Sequence, residues 1–205
     1  MKNLSLIAIA LIFGWQTNYA QEKFYLTIDG EELEIELDKS YSYKVGNKEI
    51  NLQLRAKDTL EYNSNLSSFK YLRTNPISEV ILDEGIKQLM MVTAEGTGVI
   101  LQEYVSFNPA FLNEMMLNEV TKESLNYGFE MQREDYEKTL FSGQTLSIQK
   151  ATLTYNDEIN IYEITSIGKK DSGILIMTMA MDDNELSQGR KLIEVFWYSL
   201  KFKEN

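Results

Sequence analysis

The segment that most constrains the fold is Gly173 to Met181, with the sequence GILIMTMAM. Successive side chains of a strand point to opposite faces, and here both alternating sets are apolar apart from one threonine. A strand with one face in water alternates apolar and polar residues, so a strand that is apolar on both faces must be covered on both. We therefore expect this segment to be the central strand of a sheet, with further layers packed above and below it.

Turn signals divide the rest of the chain into further strands. Asp29-Gly30 and Gly46-Asn47 each separate two short alternating segments, which predicts two N-terminal hairpins. A third hairpin is predicted over residues 86–107. A three-strand meander is predicted to begin at Thr145 and to include the central strand. Residues 77–85 read as a loop or a short helix.

Two amphipathic helices are predicted on either side of this meander. The first begins at Pro109 with Asn108 as its cap and ends at Gly128, which suits a left-handed terminator. The second follows Asp182-Asp183-Asn184, which can cap it, and places Leu192, Ile193, Phe196 and Leu200 on one face. The predicted fold class is therefore α+β, a mainly antiparallel sheet with two long helices packed on it.

Residues 1–20 have the pattern of a secretory signal peptide. Lys2 supplies the basic N-terminal region, Leu4 to Phe13 form the apolar central region, and Ala20 precedes the expected cleavage site. An uncleaved membrane anchor is the alternative, but the apolar run is short of the roughly 20 residues that a span needs. The expected mature chain begins at Gln21 and is exported across the inner membrane, to be periplasmic or secreted.

The mature chain, residues 21–205, is predicted to be a single α+β domain. Residues 21–56 hold the N-terminal hairpins and residues 66–205 the core. A mature chain of this length is sufficient for one ordinary domain with its own hydrophobic core.

Composition narrows the function classes. The chain contains no cysteine and no histidine, which excludes disulfides, Ser-His-Asp and Cys-His catalysis, and ordinary zinc sites. The full chain has a net charge of −11, and loss of Lys2 with the leader makes it −12. Such a charge repels nucleic acid, so the expected partner is a small molecule or a protein. No cofactor and no catalytic residue are predicted.

Met177, Met179 and Met181 form the one metal-ligand pattern of note. Strand alternation places the three thioethers on one face, and thioethers are ligands that Cu(I) prefers. The competing interpretation is that they fill a helix–sheet interface, because methionine adapts to irregular gaps in a core. A metal site would need an open face, and a strand that is apolar on both sides predicts a covered one, so the core interpretation is favoured.

Two segments match S-x-x-K, the spacing that joins a serine nucleophile to a lysine base on a helix. They are Ser67 to Lys70 and Ser147 to Lys150. The companion motifs S-D-N and K-T-G are absent, and the second match falls on a predicted strand, where positions i and i+3 face opposite sides. Both matches are interpreted as chance.

The order of elements over about residues 66–202 also supports a comparison with a known family. The shared features are the segment Phe69-Lys70-Tyr71-Leu72, the hairpin that ends in Leu101-Gln102-Glu103-Tyr104, the helix at Pro109, the antiparallel meander and a terminal helix with the sequence LIEVFWYSLKF. This pattern resembles the PsbP-like α/β/α superfamily. The resemblance implies an antiparallel sheet between helical layers and an accessory, non-catalytic role in extracytoplasmic binding or assembly.

Three function hypotheses remain open from the sequence. The leading one is an exported, non-enzymatic binding or accessory protein. The rival is an extracytoplasmic hydrolase that uses carboxylates, which a concave cluster of Asp and Glu beside exposed aromatic residues would favour. The third is a structural or envelope-associated protein that acts through an exposed apolar patch.

Overall fold

The computed structural model describes residues 24–181, 184 and 186–203. The predicted leader with Ala20 and Gln21 lies outside these residues, as do Asp182 and Asp183 of the predicted helix cap. The chain divides into two compact units, Met1–Ala56 and Lys57–Asn205, and each is described by itself.

The first unit contains both predicted N-terminal hairpins. Strand β1 (Phe24–Ile28) pairs with β2 (Glu31–Ile35), and β3 (Ser40–Val45) pairs with β4 (Lys48–Gln53), both antiparallel. The turn between β1 and β2 has positive φ at Asp29 and Gly30, 51° and 90°, a conformation that aspartate tolerates and glycine adopts freely. The Asp-Gly pair thus fixes the register of this hairpin.

The second unit holds the remaining elements. They are, in chain order, β5 (Thr59–Asn63), β6 (Ser67–Leu72), β7 (Ser78–Asp83), β8 (Ile86–Val92), β9 (Gly98–Tyr104), a 3₁₀ turn (Pro109–Leu112), α1 (Asn113–Tyr127), β10 (Glu130–Thr139), β11 (Thr145–Tyr155), β12 (Glu158–Lys169), β13 (Ser172–Ala180), α2 (Gln188–Ser199) and β14 (Lys201–Phe202).

Strand β13 is the middle strand of a seven-stranded antiparallel sheet, in the order β10-β11-β12-β13-β9-β8-β7. Ile174 and Ile176 on one of its faces are fully buried, and Leu175 and Met177 on the other are nearly so. The predicted central strand is confirmed: three strands flank it on each side within the sheet, and a further layer covers each of its two apolar faces.

Different elements cover the two faces of this sheet. On one face, Leu101 and Ile176 pack with Phe69 of β6 and Phe196 of α2, whose ring centroids are 5.1 Å apart. Strand β6 is the middle of a small sheet in the order β14-β6-β5. On the other face, Leu117 of α1 belongs to a cluster with residues of β11, β12 and β13.

The expectation of an α+β sandwich with two long helices is wrong. The described residues are mostly antiparallel strand, and helices α1 and α2 are short, with 15 and 12 residues. One covering layer is largely the three-stranded sheet, in which Leu66, Phe69 and Leu72 enter the core. The PsbP-like α/β/α layering is therefore not what this chain adopts.

The helix boundaries follow local capping chemistry. Asn108 accepts a hydrogen bond from the Ala110 amide at 3.0 Å, and Pro109 follows it as predicted, although the first turn is 3₁₀. Gly128 ends α1 at φ 114°. The second helix begins later than predicted, because its N-cap is Ser187 rather than a residue of the predicted cap Asp182-Asp183-Asn184.

Candidate functional site

A groove of about 1020 Å³ runs along α2 in the second unit. We call it the helix groove. One wall is α2, the other is the end of β10 with the turn that follows it, and Thr59 and Lys70 close one side. Glu163 of β12 adds the large sheet to the lining.

Two exposed aromatic side chains face each other across this groove. Phe141 and Tyr198 are 77% and 69% exposed, and their ring centroids lie 5.1 Å apart. Phe141 lies in a tight turn in which the Leu140 amide donates to the Gln144 carbonyl at 2.8 Å, and Tyr198 is on the outer side of α2. Neither ring enters the core, so the face of each ring that points away from the other ring is available to a ligand.

Trp197 and Lys138 form the inner part of the wall. The Lys138 ammonium lies 5.2 Å from the centre of the Trp197 ring system, within reach of a cation–π interaction. The indole N–H of Trp197 is buried and has no hydrogen-bond partner among the described residues. An unpaired buried donor costs about 1–3 kcal/mol, so this indole sits in a strained environment next to the groove.

Glu163 is held at the base of the groove by two hydroxyl donors. Tyr136 donates to one carboxylate oxygen at 2.6 Å, and Thr178 donates to the other at 3.2 Å. Burial, and then the hydrogen bond to Glu163, raise the pKa of Tyr136 above its usual range. The phenol therefore remains a proton donor and fixes the orientation of the carboxylate.

The lining is more cationic than the chain as a whole. Lys70, Lys138 and Arg190 line the groove against two carboxylates, Glu163 and Glu194, while the chain carries −11. In the part of the chain that the structure describes, no carboxylate lies within ion-pair distance of Lys138. This ammonium is thus available to an anionic group in the groove.

A second polar cluster surrounds the buried carboxylate of Glu103 on β9. Lys87 forms an ion pair with it at 3.0 Å, Ser67 donates to it at 3.0 Å, and Ser64 makes a short hydrogen bond to the same oxygen as Ser67. Burial lowers the pKa of Lys87, but its hydrogen bonds to Tyr62 and Glu103 outweigh burial and raise that pKa. Each member has a partner, so this cluster joins β6 to the large sheet.

Neither S-x-x-K match forms a serine–lysine pair. Ser67 is buried against Glu103, whereas Lys70 on the opposite side of β6 is exposed and lines the helix groove. Ser147 is exposed on β11, and Lys150 is paired with Glu134 at 3.0 Å. Both matches lie on strands, where residues three apart face opposite sides.

The three methionines lie on one face of the sheet. Met177 belongs to the buried cluster under α1 with Leu117, and Met179 and Met181 pack against that cluster, partly buried. Their position is that of a helix–sheet interface. No group of three or more acidic residues with the arrangement of a metal site occurs within the described ranges.

The groove was not predicted from the sequence, because apart from Lys70 of the S-x-x-K match none of its residues belongs to a chemical motif. The available signal was that Trp197 borders the apolar stripe of α2 and that Tyr198 and Phe141 lie outside any core pattern. Large aromatic side chains outside the core are a reason to expect a binding surface.

No family model and no curated protein matches this chain. Among the described residues, no helix has both the length and the hydrophobicity that crossing a bilayer requires.

Proposed function

We propose that this protein is an exported, non-enzymatic binding module that holds its ligand in the helix groove. The observation that carries the proposal is the Lys138 ammonium, which lines the groove beside the Trp197 ring and has no carboxylate at ion-pair distance among the described residues. An ammonium without a counter-ion can pair with an anionic group of a ligand.

The lining favours an acidic saccharide chain as the ligand. Sugar rings can stack on the exposed faces of Phe141 and Tyr198, and a uronate carboxylate can pair with Lys138. Thr59 and Thr139 add hydroxyl groups that can bond to sugar hydroxyls. The volume lies at the upper end of the range for small-molecule sites, which suits several rings better than one.

Tryptophan fluorescence offers a direct test. Trp15 lies in the predicted leader, so in residues 21–205 Trp197 is the single tryptophan and its emission reports on the groove. We expect trigalacturonate to change this emission in a saturable way. A neutral trisaccharide should bind at least about tenfold more weakly, because it cannot form the ion pair with Lys138.

Two lysine variants separate the groove from general charge effects. Lys138→Met should weaken trigalacturonate binding by about tenfold. Lys122→Met on α1, whose exposed side chain is 3.7 Å from Glu119, should leave binding unchanged. Equal effects of the two variants, or no saturable change in emission for any acidic saccharide, would contradict the proposal.

Export remains part of the proposal and has its own test. N-terminal sequencing of the protein recovered from the periplasm or the medium should give Gln21 as the first residue, unless it has cyclised. An intact leader would instead make this a membrane-tethered protein.

A carboxylate-dependent hydrolase is the alternative, because Glu163 and Glu194 line the same groove. Both oxygens of Glu163 already accept hydroxyl hydrogen bonds, which favours a fixed acceptor over a group that exchanges protons with a substrate. Release of reducing ends from trigalacturonate, abolished by Glu163→Gln, would replace the binding proposal with the hydrolase.

A further inference from the structure

The two edges of the seven-stranded sheet differ in a way that points to a second binding surface. Edge strand β10 has the sequence EMQREDYEKT, and its charged side chains protect it from pairing with another strand. Edge strand β7 has the sequence SEVILD, and all six residues are exposed. An exposed apolar edge is a template for strand addition, so natural proteins usually protect it.

The apolar part of this edge is continuous with a small groove. Ile81 is 66% exposed, and Val80, Leu82 and Val105 are exposed near it. We call these four residues the edge patch. A cavity of about 260 Å³ opens beside β7 and is lined by Ile81 and Val105 together with Leu66. A strand added to β7 can place a side chain in this cavity while its backbone pairs with residues 78–81, which precede the register shift of β7 between Ile81 and Asp83.

Acidic side chains flank the edge patch. Glu79 precedes it, and Asp83 and Glu84 follow it, all exposed. Within the described residues, none of the three has a cation at ion-pair distance. A partner strand with apolar residues in the middle and lysine or arginine at its ends would complement both the apolar centre and the acidic flanks.

We propose that β7 binds an extended segment of another protein by strand addition, with apolar side chains on the edge patch and basic residues beside Glu79, Asp83 and Glu84. A second copy of this chain fits less well. Antiparallel pairing of β7 with itself would bring the acidic ends of the two copies, Glu79 and Asp83, next to each other. It would also join two chains that each carry −11.

A labelled synthetic peptide tests this surface without reference to the helix groove. The probe has three valines alternating with threonines and two lysines at each end, and the matched peptide has glutamates in place of the lysines. We expect fluorescence anisotropy to show saturable binding of the lysine peptide and at least about tenfold weaker binding of the glutamate peptide. Hydrogen exchange should show new protection in residues 78–83.

Two variants test the site at single residues. Ile81→Lys should weaken binding of the lysine peptide by about tenfold, while Gln132→Lys on the opposite edge strand should leave it unchanged. Both positions are exposed, and unchanged thermal unfolding verifies that each variant is folded. Absence of saturable binding, equal effects of the two variants, or a dimer in sedimentation that Ile81→Lys disrupts would overturn the proposal.

Discussion

Replacing Lys87 by methionine tests how the buried carboxylate of Glu103 is stabilised. The Lys87 ammonium lies 3.0 Å from Glu103, whose side chain is 5% exposed. At this separation and an effective dielectric of 20, the Coulomb attraction is about 5 kcal/mol. Breaking a buried ion pair typically costs about 3–5 kcal/mol, because one charge remains buried without its partner. We expect Lys87→Met to lower the free energy of unfolding by about 3 kcal/mol, at the low end of this range, because Ser64 and Ser67 still donate hydrogen bonds to Glu103 in the variant.

The sheet contains a closely matched control. Lys150 lies 3.0 Å from Glu134, and the lysine side chains of the two pairs are 26% and 27% exposed. The pairs differ mainly in the carboxylate, because Glu134 is 64% exposed and remains hydrated when its lysine is removed. Lys150→Met should therefore cost at most about 1 kcal/mol.

Urea unfolding of both variants, followed by circular dichroism, gives the two free-energy changes. Adding Glu103→Gln to the Lys87→Met variant should recover at least about 1 kcal/mol, because the amide is neutral and still accepts hydrogen bonds. The reasoning is refuted if Lys87→Met and Lys150→Met lose stability equally, or if Glu103→Gln adds to the loss.

Three further outcomes are expected. Ile176→Ala should lower the free energy of unfolding by about 2–5 kcal/mol, because Ile176 is fully buried on the central strand; a loss below about 0.5 kcal/mol would be inconsistent with that position. Gly98→Ala should lower the free energy of unfolding by about 3 kcal/mol, because the added Cβ would lie 2.1 Å from the Met91 carbonyl oxygen. A variant as stable as the wild type would show that β8 and β9 do not pair in this register. The raised pKa of Tyr136 means that the folded state holds this proton more tightly than the unfolded chain. The contribution of Tyr136 to the free energy of unfolding is therefore complete below the unfolded pKa of about 10 and decreases above it. As the pH rises from about 9 to about 11, the wild type should lose more stability than Tyr136→Phe.

Elements with a strong local signal were predictable from the sequence. The two-sided apolar pattern of residues 173–181 placed the central strand, and Asp29-Gly30 placed a hairpin turn. Asn108 and Gly128 marked a helical segment through their capping chemistry. Each of these signals depends on neighbouring residues alone, which is why it can be read without knowing the fold.

The edge strands and the second layer were not predictable in the same way. Strands β7 and β10 have a neighbour on one side only and are mostly exposed, so neither needs the alternating pattern that marks a half-buried strand. The small sheet depends on pairing of β6 with β14, which are far apart in sequence. It shares one face of the large sheet with α2, where the amphipathic segments had suggested a helix alone.

The helix groove depends on such long-range pairing as well. Lys138 and Trp197 meet only because β10 is an edge strand and α2 crosses the adjacent face. Glu163 acquires its donors from Tyr136 and Thr178, which lie on β10 and β13. No spacing in the sequence relates these residues, and only the register of the sheet brings them together.

The most direct test of the groove proposal is the indole N–H resonance of Trp197 in a nitrogen-15 correlation spectrum of residues 21–205. Residues 21–205 contain one tryptophan, so the spectrum has one indole signal. Titration with trigalacturonate should shift that signal in a saturable way, because a carboxylate that pairs with Lys138 changes the electrostatic surroundings of the Trp197 ring. A signal that stays in place while an acidic saccharide binds elsewhere, or that no acidic saccharide moves, would contradict the assignment of the helix groove as the ligand site.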